Sequence, residues 1–106
     1  MSAAAKTWTQ IKTWSGTAQQ SWSMGSYSEF LIVARYSTSF VGSALLPAAH
    51  ITSTAREVYV SGGYNGAGVQ GRGFALTLSS TTAKAAIATA DGTDRLSSTS
   101  WWIYGR

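Results

Sequence analysis

His50 is the only imidazole in this 106-residue chain, so it is the one side chain that could serve a serine nucleophile as general base. Serines are too numerous to nominate a nucleophile by spacing, and no Gly-x-Ser-x-Gly elbow occurs. The carboxylates are Glu29, Glu57, Asp91 and Asp94. Glycoside hydrolysis needs two of them on either side of a bond, which leaves Asp91 with Asp94 or Glu29 with Glu57. Asp91-Gly92-Thr93-Asp94 reads first as a turn held by side-chain to backbone hydrogen bonds. A metal site would need several His, Asp, Glu or Cys ligands in convergence; cysteine is absent and no His-x-His or His-Glu-x-x-His spacing is present. The expectation is therefore a non-enzyme with no cofactor and no metal. His50, following Pro47-Ala48-Ala49, reads as a loop residue, the alternative being three copies of it meeting on a threefold axis.

Recognition chemistry is better represented. Gly62-Gly63-Tyr64-Asn65-Gly66-Ala67-Gly68 lacks the Lys-Ser/Thr ending of a phosphate-binding loop, but it sets a rigid amphipathic ring beside an adaptable amide among small residues. Tyr64 and Asn65 are read either as a binding tip or as an idle hairpin end. The chain also holds five Trp, five Tyr and three Phe, more large rings than a core of this size readily buries. Trp101 and Trp102 are adjacent, and neighbouring strand residues point to opposite faces, so one of them must face outward. Surplus rings suit either a subunit interface or a platform for sugars. The sparse charge nearby favours the interface, for which Trp8, Trp14, Trp101 and Trp102 are the candidates.

The elements that carry these residues are strands. Residues 7–14 alternate Trp8, Gln10, Lys12 and Trp14 against Thr7, Thr9, Ile11 and Thr13. Residues 20–24 make a short extended piece, and 29–36 form an apolar run rich in β-formers that reads as a central strand. Residues 40–46 follow, stopped by Pro47, which has a fixed φ and no N–H. Residues 55–61 and 69–79 are extended, with Gly71 and Gly73 suited to a bulge or a close backbone approach. The alanine-rich stretch 84–90 could be helical, yet Ile87, Thr89 and its short length between turn signals favour a strand. Residues 96–104 close the chain. About eight short strands and no amphipathic helix define an all-β domain, an antiparallel β-sandwich or jelly roll over residues 7–106, with 1–6 as a disordered start or linker.

Composition narrows the partners. Only 11% of residues are charged, less than half the usual share, and the net charge of +4 is spread from Lys6 to Arg106. Nucleic acid would need a basic stripe. No window approaches the ~18 apolar residues of a membrane span, and residues 1–6 lack the apolar segment of a signal peptide, so neither membrane insertion nor export by that route is expected. If strands run up and down, parity gathers residues 15–19, 37–39, 62–68 and 91–95 at the end opposite the N-terminus. That pole supplies the candidate receptor-binding residues: Tyr64, Asn65, Asp91, Asp94 and Arg95.

Three segments together carry a resemblance: Trp14-Ser15-Gly16-Thr17-Ala18 ending the first strand, Tyr27-Ser28-Glu29-Phe30-Leu31-Ile32-Val33, and the closing Trp101-Trp102-Ile103-Tyr104. This pattern resembles the C-terminal head domain of bacteriophage and prophage tail fibre proteins, over nearly the whole chain. It is a pattern of strand character and carries no catalytic signature. The resemblance implies a compact sandwich at a fibre tip in the virion, made in the host cytoplasm, assembled as a homotrimer and adsorbing to a bacterial surface polysaccharide or outer-membrane protein. No shaft, coiled-coil or collagen-like segment accompanies it here. Two other readings compete: a free-standing lectin-like module in which Trp22 or Trp101 stacks on a pyranose ring, and a virion decoration protein whose aromatics bind other virion proteins.

Overall fold

The computed structural model describes residues 7–38, 40–61, 73–90 and 93–106. It shows an all-β sandwich of two antiparallel sheets. The strands are β1 (Thr9–Ser15), β2 (Gln20–Ser21), β3 (Glu29–Tyr36), β4 (Phe40–Pro47), β5 (Arg56–Ser61), β6 (Gly73–Leu78), β7 (Thr82–Ala90), β8 (Thr93–Asp94) and β9 (Thr99–Gly105). One sheet has the order β1-β9-β3-β4; the other has β2-β7-β6-β5, with β8 pairing β7. Each expected strand has a counterpart, the piece at 20–24 shortened to Gln20–Ser21, while residues 69–72 of the sixth, Gly71 among them, lie outside the described residues; β8 is an addition within a stretch read as a turn. The closing strand begins at Thr99, later than expected. Leu96–Ser98 form a 3-10 turn, fixed where the Leu96 N–H donates to Asp94 Oδ1 and Thr99 Oγ1 donates to the Arg95 carbonyl.

Periodicity explains which residues meet between the sheets. Along β3, Phe30, Ile32 and Ala34 point inward and are fully buried, and β9 answers with Trp101 and Ile103. From the facing sheet come Phe74, Leu76 and Leu78 of β6 and Ala83, Ala85 and Ala88 of β7. The Phe74 ring meets Trp101 edge to face at 6.2 Å. The alanines of β7 are small where rings from the opposite sheet are large, so their helix propensity is overridden by packing that only a flat, close-approaching strand allows. Full burial of one large ring such as Trp101 removes ~150–250 Å² from water, an upper-bound contribution of about 4–6 kcal/mol.

Register shifts interrupt simple alternation in three pairings, at Tyr59/Ser61 of β5, at Ala85/Ile87 of β7 and in β1, and the last of these bears on the tryptophans. Gln10 pairs with Tyr104 but Lys12 with Ile103, so Ile11 is an extra residue in a bulge of β1. The bulge shifts the inward face, which lets Ile11 and Trp14 both reach the core although they were expected on opposite sides.

The strand ends define two poles. At one lie the turn after Tyr36, the residues from Thr93 to Thr99, and Gly16, whose N–H donates to the Thr99 carbonyl. The pairs Ser61–Phe74, Gly73–Thr89 and Thr89–Asp94 bring the ends of β5, β6 and β7 to the same side. At the other pole Thr9 pairs with Gly105, Glu29 with Pro47 and Arg56 with Leu78. The strand order is not sequential, since β9 lies between β1 and β3. Parity nevertheless sorts these ends, because every pairing is antiparallel. The loop at 16–19 is the exception: it leaves the first pole and delivers Gln20 to Ala83, near the far end of β7.

Candidate functional site

The pole away from the first strand's start brings together an aromatic pair, a guanidinium and a carboxylate. Tyr36 ends β3 and Phe40 begins β4, so a tight turn with Ser37 at φ 54° holds their rings 6.2 Å apart. The Arg95 guanidinium lies 5.3 Å from the Tyr36 ring centroid, a cation–π contact. Arg95 is aimed there by its backbone: its N–H donates to the Ala88 carbonyl, and its own carbonyl accepts from Thr99 Oγ1. Asp94 is exposed beside it, one oxygen occupied by the Leu96 N–H. A half-buried guanidinium over a phenol, next to an exposed carboxylate, offers ring face, donors and an acceptor on one rim.

Of the residues nominated for receptor contact, Asp94 and Arg95 are adjacent to this rim, whereas Tyr64, Asn65 and Asp91 lie outside the described residues. Tyr36 and Phe40 were not nominated. The signal available was the pair of aromatic residues flanking a Ser-Thr-Ser turn, at the end of a run read only for its core-forming strand.

The tryptophans divide otherwise than expected. Trp14 and Trp101 are interior, at 8% and 0% exposure, stacked on each other at 6.1 Å. Their assignment to a subunit contact is corrected: both point between the sheets, where their area is spent within the chain. Trp102 faces outward as adjacency requires, with the Arg35 guanidinium 4.9 Å above its ring. Trp8 is half-buried beneath Arg106 at 4.1 Å, and Arg106 also pairs with Glu29 at 3.3 Å. The sugar-stacking alternative loses its rings as well. Trp101 has no accessible face, and Trp22, 8% exposed, is T-shaped against Phe30 with Nε1 donating to the Ser79 carbonyl at 2.9 Å.

His50 ends a short 3-10 turn at the opposite pole, exposed, in a shallow cleft of about 640 Å³ with Thr52, Arg56 and Glu57 on its walls. Arg56 donates to Thr52 Oγ1 at 3.0 Å. Glu29 is engaged by Arg106, and Glu57 stands on the other sheet. Among the described residues no group of three or more His, Asp or Glu side chains converges. No helix is long and apolar enough to cross a membrane among the described residues.

Comparison of the chain with protein-family models, with curated proteins and with solved structures returns no match.

Proposed function

We propose that this chain is an adhesion module of the kind found at the tip of phage tail fibres, which adsorbs to a bacterial surface polysaccharide or outer-membrane protein. The observation that carries the reading is the convergence at one pole, opposite the start of the first strand, of Tyr36, Phe40, Asp94 and Arg95. A module tethered by its N-terminal side presents that pole outward. Adhesion requires only such a rim on a rigid sandwich, with aromatic area for affinity and a few charged or polar groups for orientation. The test is binding of the fluorescently labelled chain to a panel of bacteria with differing surface glycans, with Arg95→Glu as the site variant. Saturable binding to some strains, lost in the variant with its thermal unfolding unchanged, supports the reading. Absence of binding throughout the panel would return the decoration-protein alternative.

A further inference from the structure

A solvated sandwich strand alternates apolar residues inward with polar residues outward. The four-stranded sheet breaks this rule on its outer face. Phe30, Ile32, Ala34, Trp101 and Ile103 fill the inner side, so their neighbours Leu31, Val33, Trp102 and Tyr104 stand on the outside. The register joins them in rows: Leu45 beside Leu31 beside Tyr104, and Val33 beside Trp102. Val41 and Leu45 on β4 are 61% and 56% exposed, among the most exposed large apolar side chains described. Polar groups at the margin are committed within the chain. Thr13 Oγ1 donates to the Trp101 carbonyl at 3.0 Å, and the Ser15 and Ser100 hydroxyls bond each other at 2.8 Å.

We propose that this face is covered by a second copy of the same chain. The chain carries +4, yet on the outward positions of β3, β4 and β9 the charged groups are Arg35, stacked on Trp102, and Glu29 at the start of β3, paired with Arg106, so both are engaged within the chain. That is what a self-complementary contact between like-charged copies needs, since a charge on this face would meet its own equivalent. The same scarcity disfavours the other occupants: an acidic protein or an anionic bilayer calls for cations, and a glycan calls for uncommitted donors and acceptors. The apolar rows run over β9, β3 and β4. Three strands at ~4.8 Å spacing and seven residues at ~3.4 Å each span roughly 340 Å² in projection, which fits the apolar core of a contact whose polar rim is supplied by Gln10, Thr13 and Ser15 of β1. The surface continues onto the edge strand β4, whose residues Phe40–Pro47 include no charged side chain of the sort that guards exposed edges.

The inference is independent of the adhesion reading and is tested without a receptor. The full chain is measured by light scattering after size-exclusion chromatography at tens of micromolar, where a Kd of about 1 μM leaves most chains associated. The expected mass is a whole multiple of 11.2 kDa greater than one. Val41→Lys with Leu45→Glu should return it to a single subunit with unchanged far-UV circular dichroism. Tyr59→Glu, at a residue 58% exposed on the other sheet, should leave the assembly intact. A wild-type mass of one subunit overturns the inference, as does an assembly that survives the β4 pair or dissociates with Tyr59→Glu alone. Should Val41→Lys with Leu45→Glu fail to fold, Trp102→Ser on the same face decides in the same way.

Discussion

Trp14 and Trp101 lie with ring centroids 6.1 Å apart and planes 10° from parallel, between the two sheets, and neither indole N–H has an acceptor among the described residues. Trp22 is as enclosed as Trp14, both at 8% exposure, but its Nε1 donates to the Ser79 carbonyl at 2.9 Å. The comparison isolates the hydrogen bond. Trp22→Phe forfeits a buried bond and strands a carbonyl, whereas Trp14→Phe removes a donor that pays a desolvation cost for nothing. Urea unfolding should show Trp22→Phe the more destabilising by about 1–3 kcal/mol; equal or reversed losses would contradict the assignment. Trp101→Ala, emptying the centre of the layer, should cost about 3–5 kcal/mol by the same measurement.

Gly105 on β9 has no room for a side chain. A methyl group there would come within 2.7 Å of Ile11 Cδ1 and of Tyr27 Cγ, and Tyr27 is itself set edge-on against Phe30. Gly105→Ala should therefore lower stability by about 1–3 kcal/mol through overpacking. A thermal midpoint equal to wild type would show that Tyr27 moves aside freely.

Arg106 fastens the end of the chain to the start of β3. Its backbone exchanges hydrogen bonds with Glu29, its guanidinium reaches the Glu29 carboxylate at 3.3 Å, and it covers the Trp8 ring at 4.1 Å. Both side chains of the ion pair are about a third exposed, so the pair itself contributes at most about 1 kcal/mol, with a similar amount from the ring contact. Arg106→Gln should cost about 1 kcal/mol in dilute buffer. Repeating the unfolding in 1 M salt, where screening acts within ~3 Å, should narrow the difference. A gap that stays constant would assign the loss to packing on Trp8.

The sandwich was legible in the chain because its strongest signals are local. Adjacent Trp101 and Trp102 had to diverge across the sheet, Pro47 had to stop β4, and Ile87 with Thr89 argued a strand through an alanine-rich stretch. What was not legible depends on one-residue shifts and on partners far away in sequence. The bulge at Ile11 carries no mark in the local composition, yet it decides that Trp14 faces the core and removes it from the set of surface rings. The rim at Tyr36, Phe40 and Arg95 joins residues almost sixty positions apart, which no pattern along the chain announces. The apolar outer face escaped notice because the run from Glu29 to Tyr36 looks the same whether its second side is buried under another layer or open.

The most direct measurement is binding of the labelled chain to bacteria of differing surface glycans, with Arg95→Glu and the wild type run side by side. The account expects saturable adsorption to a subset of strains, lost in the variant, and no release of glycan fragments from the cells. Adsorption unaffected by Arg95→Glu, or steady cleavage of an envelope glycan by the wild type, would contradict it.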